Sequence, residues 1–112
     1  MQVSLWMKEK PRCVTPTELL EDVARSMREG GFRHAPVVDA EGRLLGMLSD
    51  RDIREHKGFL PTTRVSAAMV EPALAVLADD PIEQAARLMV AHKIGALPVV
   101  DASQRVLGIV TE

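Results

Sequence analysis

Residues 32–52 of this chain, FRHAPVVDAEGRLLGMLSDRD, return in closely similar form as IGALPVVDASQRVLGIVTE at an offset of 62 positions. Pro36-Val37-Val38-Asp39-Ala40 recurs letter for letter as Pro98-Val99-Val100-Asp101-Ala102, and Arg43, Leu45 and Gly46 recur as Arg105, Leu107 and Gly108. Val3–Asp50 aligns with Val65–Glu112 without a gap, with 17 identities over 48 positions, where a chance register would leave only a few. This duplication constrains the fold more than any other feature. Each copy must make the same small unit, and neither is long enough to bury a sizeable core alone. The two must pack together, and function is expected between them.

Within each copy the first apolar pattern is helical. Leu20, Val23, Ala24 and Met27 follow i, i+3, i+4, i+7, as do Ile82, Ala85, Ala86 and Met89. Asp80 is the expected N-cap of the second helix, with Pro81 at its first position and Glu83 completing a capping box; Thr17 is the expected cap of the first. Gly30 and Gly31 can supply a left-handed C-terminal residue, a role that falls to His92-Lys93 in the second copy.

Two apolar, β-branched runs follow in each copy, Ala35–Val38 with Arg43–Leu48 and Leu97–Val100 with Arg105–Val110, each pair joined by a short turn. These are predicted hairpins. Their near-continuous apolar character predicts sheets covered on both faces. Val14 and Val76 are expected to add a short strand each. Residues 49–57 read as a helix capped by Ser49 or Asp50 and stopped by Gly58, and 59–63 as a short linker. The expected organisation is a first repeat over 1–57, a linker over 58–64 and a second repeat over 65–112 lacking its final helix. The natural chain is expected to continue past Glu112.

The bulk numbers exclude several classes. A net charge of −2 and a pI near 5.9 offer no basic surplus for nucleic acid, and 3% aromatic content offers few stacking platforms. Cys13 is the sole cysteine, so an intrachain disulfide framework and a multi-cysteine zinc site are both ruled out. The N-terminus has no apolar signal-peptide core. No apolar run approaches the roughly 18 residues of a membrane span. A cytoplasmic protein without membrane attachment is expected. No two of the three histidines have metal-ligand spacing, and neither an activated nucleophile, paired catalytic carboxylates nor a glycine-rich phosphate loop is present, so neither a metal site nor an enzyme is expected.

The lead-in methionines Met7 and Met69, the amphipathic helix, the Pro-Val-Val-Asp block and Gly46-Met47-Leu48-Ser49-Asp50-Arg51-Asp52 together resemble a tandem pair of cystathionine-β-synthase (CBS) domains, a Bateman module. The last segment matches that family's Gly-apolar-apolar-Ser/Thr-x-x-Asp motif. The Val3–Met7 opening and Ser49–Arg54 are similar to prokaryotic stand-alone CBS proteins, including those of acetoin utilisation. The resemblance implies an α+β fold of two βαββα repeats related by a pseudo-two-fold axis, packed through their sheets, with two clefts between them. It also implies adenosine-containing ligands (AMP, ADP, ATP or S-adenosylmethionine) with no required cofactor. A homodimer of such pairs and a regulated partner domain or protein are implied as well.

The residues can be read against that expectation. A fixed carboxylate can accept both hydroxyls of a ribose, and Asp52 lies on the first turn of a predicted helix with Ser49 just before it. By resemblance Asp52 takes the ribose, and Ser49 a phosphate or ribose oxygen, with the helix N-terminus also favouring phosphate. The competing reading makes Ser49 an N-cap and Asp52 a dipole-favoured acid. Ile94-Gly95-Ala96 would receive the adenine, with Ala73 and Leu74 as the opposite wall and Arg33 or His34 near the phosphate; ordinary packing or solvation is the alternative for each. His56 and His92 read as helix-surface residues. In the second cleft Thr111 repeats Ser49, with Pro11, Arg12 and Phe32 as the facing wall. The expected function is a regulatory module sensing adenosine ligands, and the alternative is a structural dimerisation module without a working site.

Overall fold

The computed structural model describes all residues 1–112. A 3-10 turn at Val3–Leu5 leads to β1 (Lys8–Glu9), α1 (Leu20–Gly30), β2 (His34–Val38), β3 (Leu44–Ser49) and α2 (Asp50–Arg54). Then come α3 (Val65–Ala68), β4 (Val76–Leu77), α4 (Ile82–His92), β5 (Ala96–Val100) and β6 (Val106–Thr111). The predicted hairpins are β2–β3 and β5–β6, each with one bulge, between Val37 and Val38 and between Val99 and Val100. The architecture is the expected α+β pair of repeats.

The pseudo-two-fold axis is visible in individual hydrogen bonds. β4 pairs in parallel with β5 through Val76 and Val99, and the bridge Val14–Val37 is the same pairing 62 residues earlier. Val14 and Val76 thus lie in the short pairings expected of them. β1 pairs antiparallel with β6 through Lys8 and Ile109, and the bridge Met47–Val70 repeats it. Each lead-in therefore crosses to the other repeat. Val3, with no exposure, packs with Val76, Leu97, Val99 and Val110, while Val65, equally buried, packs with Val14, Val37 and Leu48. The duplicated sequence folds into two small cores that exchange their first elements.

Gly46 and Gly108 permit this exchange. A Cβ on Gly46 would lie 2.7 Å from the Val70 carbonyl oxygen, and one on Gly108 2.9 Å from that of Lys8. β2 and β5 are buried on two faces, as their apolar runs predict: Ala35 and Val37 join the first core, while Pro36, on the alternate face, is also fully buried. β3 and β6 are covered less completely, with Leu45 and Leu107 exposed. The turns meet near the axis, where Leu44 N–H donates to Gln104 O at 2.9 Å and Val106 N–H to Gly42 O at 3.2 Å.

Three local expectations need correction. Thr17 does not cap α1, which begins at Leu20 with no side-chain cap; Leu20 N–H donates to Thr63 O and Glu21 N–H to Leu60 O. Asp80 and Glu83 form no capping box on α4, and Pro81 is the N-cap residue rather than the first helical one. There Ile82 N–H donates to Met1 O, and the Asp80 carboxylate accepts Leu77 N–H instead. Carbonyls from distant segments satisfy the first-turn amides, so no capping side chain is needed. The helix expected over 49–57 keeps only Asp50–Arg54 as α-helix, followed by turns that end at Gly58 with φ of 95°. The expected C-termini hold, with Gly31 left-handed after α1 and Lys93 after α4.

Candidate ligand cleft between the repeats

The crossed connection opens a cleft of about 760 Å³ between the repeats. This is the size of a small-molecule site. One wall is the end of β3 and the face of α2, with Ser49, Asp52 and Glu55. The second is the extended stretch from Val70 through Pro72, Ala73 and Leu74, which the Met47–Val70 pairing lays across β3. The third is the end of α4 and start of β5, with His92, Lys93, Ile94, Gly95 and Ala96, and His34 closes the space from β2. Gly95 lies at this corner beside His34 and Glu112: a Cβ there would stand in ordinary contact, 3.5 Å from His34 Nε2 and 3.4 Å from Glu112 Oε1.

Ser49, Asp52, His34, Ala73, Leu74, Ile94, Gly95 and Ala96 are thus brought together by four separate segments. Arg33 is placed elsewhere. It lines a shallower groove between α1 and α2, because successive residues entering a strand project to opposite sides. Of the second-cleft residues, the Arg12 guanidinium lies over the Phe32 ring at 5.5 Å, and Phe32 packs against the first core and lines the same groove as Arg33. No hydrogen bond or ion pair joins Arg12 to Thr111, which is exposed.

Ser49 and Asp52 make a complete capping box. Ser49 Oγ accepts Asp52 N–H at 3.1 Å, and Asp52 Oδ2 accepts Ser49 N–H at 2.9 Å. Asp50 N–H is also taken, by Arg33 O at 2.9 Å. Asp50 N–H and Asp52 N–H of the short α2 are thus already committed, which leaves the helix terminus fewer free amides for a phosphate than a bare helix end. What remains is chemistry for hydroxyls. Asp52 Oδ1 has no protein partner, and the Ser49 hydroxyl hydrogen is free to donate. The cap fixes both side chains, so a diol would meet a pre-positioned acceptor.

Sequence reasoning missed the charges around the cleft. Arg54 is held by Asp50 at 2.8 Å, and Arg51 lies 4.0 Å from Glu55. Lys93 forms no ion pair. It occupies the position equivalent to Gly31 and has φ of 54° against 68° for that glycine. A lysine where the repeat elsewhere places glycine was the available signal. His92, read as a surface residue, also lines the cleft.

The CBS domain family matches residues 2–58 and 65–112, and this chain belongs to it. It is 37% identical to protein MJ1225 of Methanocaldococcus jannaschii over 112 residues, covering 88% of this chain and 40% of that protein. A homoserine O-acetyltransferase of Methanococcoides burtonii is 34% identical over 93% of this chain, but over only 21% of its own length. The chain therefore spans well under half of these relatives, and the likeness to the enzyme is confined to that fifth.

Among solved structures, the CBS domain pair of protein MJ0100 in complex with 5′-methylthioadenosine and S-adenosylmethionine superimposes with a TM-score of 0.92 at 25% identity, covering 99% of this chain and 89% of that one. CBSX2 in complex with AMP gives 0.87 at 29%, over 99% and 90%. A protein assigned to acetoin utilization (AcuB) from Vibrio cholerae gives 0.87 at 32%, over 99% and 84%. No helix of the chain is long and apolar enough to cross a membrane.

Proposed function

We propose that this chain is a regulatory module, not an enzyme, whose cleft takes an adenosine-containing ligand such as AMP, ADP, ATP or S-adenosylmethionine. The carrying observation is the juxtaposition across the cleft of the fixed, half-committed Asp52 carboxylate with the small-residue stretch Ile94-Gly95-Ala96. The first offers acceptors for the ribose hydroxyls, and the second leaves room for a flat ring against Ala73 and Leu74. Solved relatives that hold S-adenosylmethionine, 5′-methylthioadenosine or AMP support the ligand class.

Because each wall comes from a different repeat, a ligand bridging them biases their relative angle by its differential affinity for the two arrangements. Coupling of about 1–3 kcal/mol would be enough to regulate a partner domain or protein. Pairing of two such modules into a homodimer is part of the same reading.

The capping box favours one competing reading, in which Ser49 and Asp52 are purely structural and the module only mediates association. Calorimetric titration with AMP, ADP, ATP, S-adenosylmethionine and 5′-methylthioadenosine separates the two. The proposal expects binding near one ligand per chain and thermal stabilisation of about 2.7 kcal/mol at one hundred times Kd. Absence of heat and of stabilisation with every ligand would leave the structural reading.

A further inference from the structure

We infer that Lys93 is the anion-binding side chain of this cleft and selects a phosphate-bearing adenosine nucleotide over an uncharged or sulfonium nucleoside. The inference rests on the adenosine reading above and sharpens it. Three lysine or arginine side chains border the cleft, and two are committed, Arg54 to Asp50 and Arg51, more loosely, to Glu55. Lys93 is the one without an acidic partner.

Its backbone supplies an independent argument. The residue after α1 is Gly31, left-handed at no steric cost; its equivalent after α4 is a left-handed lysine at φ of 54°. A side chain bearing a Cβ is disfavoured there relative to glycine. A strained residue lining a cleft is where a functional side chain is expected. Two leading α2 amides are already taken, Asp50 N–H by Arg33 O and Asp52 N–H by Ser49 Oγ, which leaves a phosphate in need of a side-chain cation. A sulfonium ligand would instead meet like charge at Lys93.

The test is calorimetric titration of the wild-type chain, Lys93→Gly and Lys93→Arg with AMP, adenosine and 5′-methylthioadenosine, beside thermal unfolding of each. The expected result is opposed. Lys93→Gly unfolds at higher temperature, because glycine relieves the left-handed residue, yet its AMP-to-adenosine affinity ratio falls about tenfold or more, the scale of one charged hydrogen bond. Lys93→Arg keeps the ratio within a few fold. An unchanged ratio in Lys93→Gly overturns the assignment, as does a wild-type chain that binds 5′-methylthioadenosine as tightly as AMP; both leave the adenosine reading standing. A wild-type chain that binds none of the three overturns the adenosine reading and this one with it.

Discussion

Gly46→Ala tests how the cleft is built. The new Cβ would stand 2.7 Å from Val70 O, where ordinary contact begins near 3.4 Å, and the obstacle is backbone. The 70–74 stretch would have to retreat by roughly 0.7 Å, from the difference of those distances. Met47 N–H to Val70 O at 3.0 Å and Val70 N–H to Met47 O at 2.9 Å would then stretch to the limit of a hydrogen bond or past it. Two such bonds are worth about 1 kcal/mol each, and overpacking adds about 1–3 kcal/mol. A stiffer unfolded chain returns about 0.4–1 kcal/mol.

The net loss is about 2–4 kcal/mol, and at roughly 4 °C per kcal/mol for a chain of this size Tm falls by roughly 8–16 °C. Thermal and urea unfolding followed by circular dichroism would measure it. Ligand affinity should fall too, since Ala73 and Leu74 move with Val70. Gly108→Ala is the matched control: its Cβ would meet Lys8 O at 2.9 Å, so stability falls while affinity at the Asp52 cleft holds. A Gly46→Ala protein melting within about 2 °C of wild type would refute the proposed role of Gly46 in the crossed packing.

Other substitutions probe smaller parts of the account. Asp52→Asn keeps an oxygen for Ser49 N–H and should unfold close to wild type, whereas Asp52→Ala should lose about 1 kcal/mol with the cap; calorimetry should show both losing at least about tenfold in nucleotide affinity, and unchanged affinity would return Asp52 to a purely structural role. Gln104→Gly should stabilise by about 0.5–1 kcal/mol in urea unfolding, because Gln104 is left-handed at φ of 69° where its equivalent Gly42 has 81°. The Asp39 carboxyl sits below its ordinary 3.8, chiefly because it accepts Arg43 N–H, with Glu41 N–H and the Arg43 side chain adding to the effect. A depressed carboxylate contributes stability above its unfolded value that is lost as pH falls through the folded one. Asp39→Asn should therefore lower Tm at neutral pH and flatten the fall below about pH 4, as a pH series of melts would show.

Much of this molecule is legible in its sequence because every pairing within a repeat is echoed 62 residues on. The hairpins and the left-handed ends of the helices follow from that register, while the gathering of Ser49 and Asp52 opposite Ile94–Ala96 was implied by the resemblance to CBS pairs. The crossing of the lead-ins does not, since Val3 and Val65 are equivalent valines and a duplicated sequence reads the same whichever core each one fills. Capping was misread for a related reason: Thr63 O and Met1 O, distant in the chain, serve the amides that Thr17 and Asp80 were expected to serve. The resemblance puts the cationic pair Arg33-His34 near the phosphate, yet one residue along extended backbone is enough to change faces, and only His34 lines the cleft. Lys93 reads from the sequence only as a helix terminator, whereas its mismatch with Gly31 is the informative feature.

In the proposed function a nucleotide sits between the repeats, against Asp52 on one side and Ile94–Ala96 on the other. Backbone NMR of the chain titrated with AMP tests it directly. Saturable shifts are expected in residues 49–55, 70–74 and 92–96, with Ala24, Met27, Arg28, Lys57 and Leu60 of the groove between α1 and α2 unmoved. Shifts centred on that groove, or none at saturating nucleotide, would contradict it.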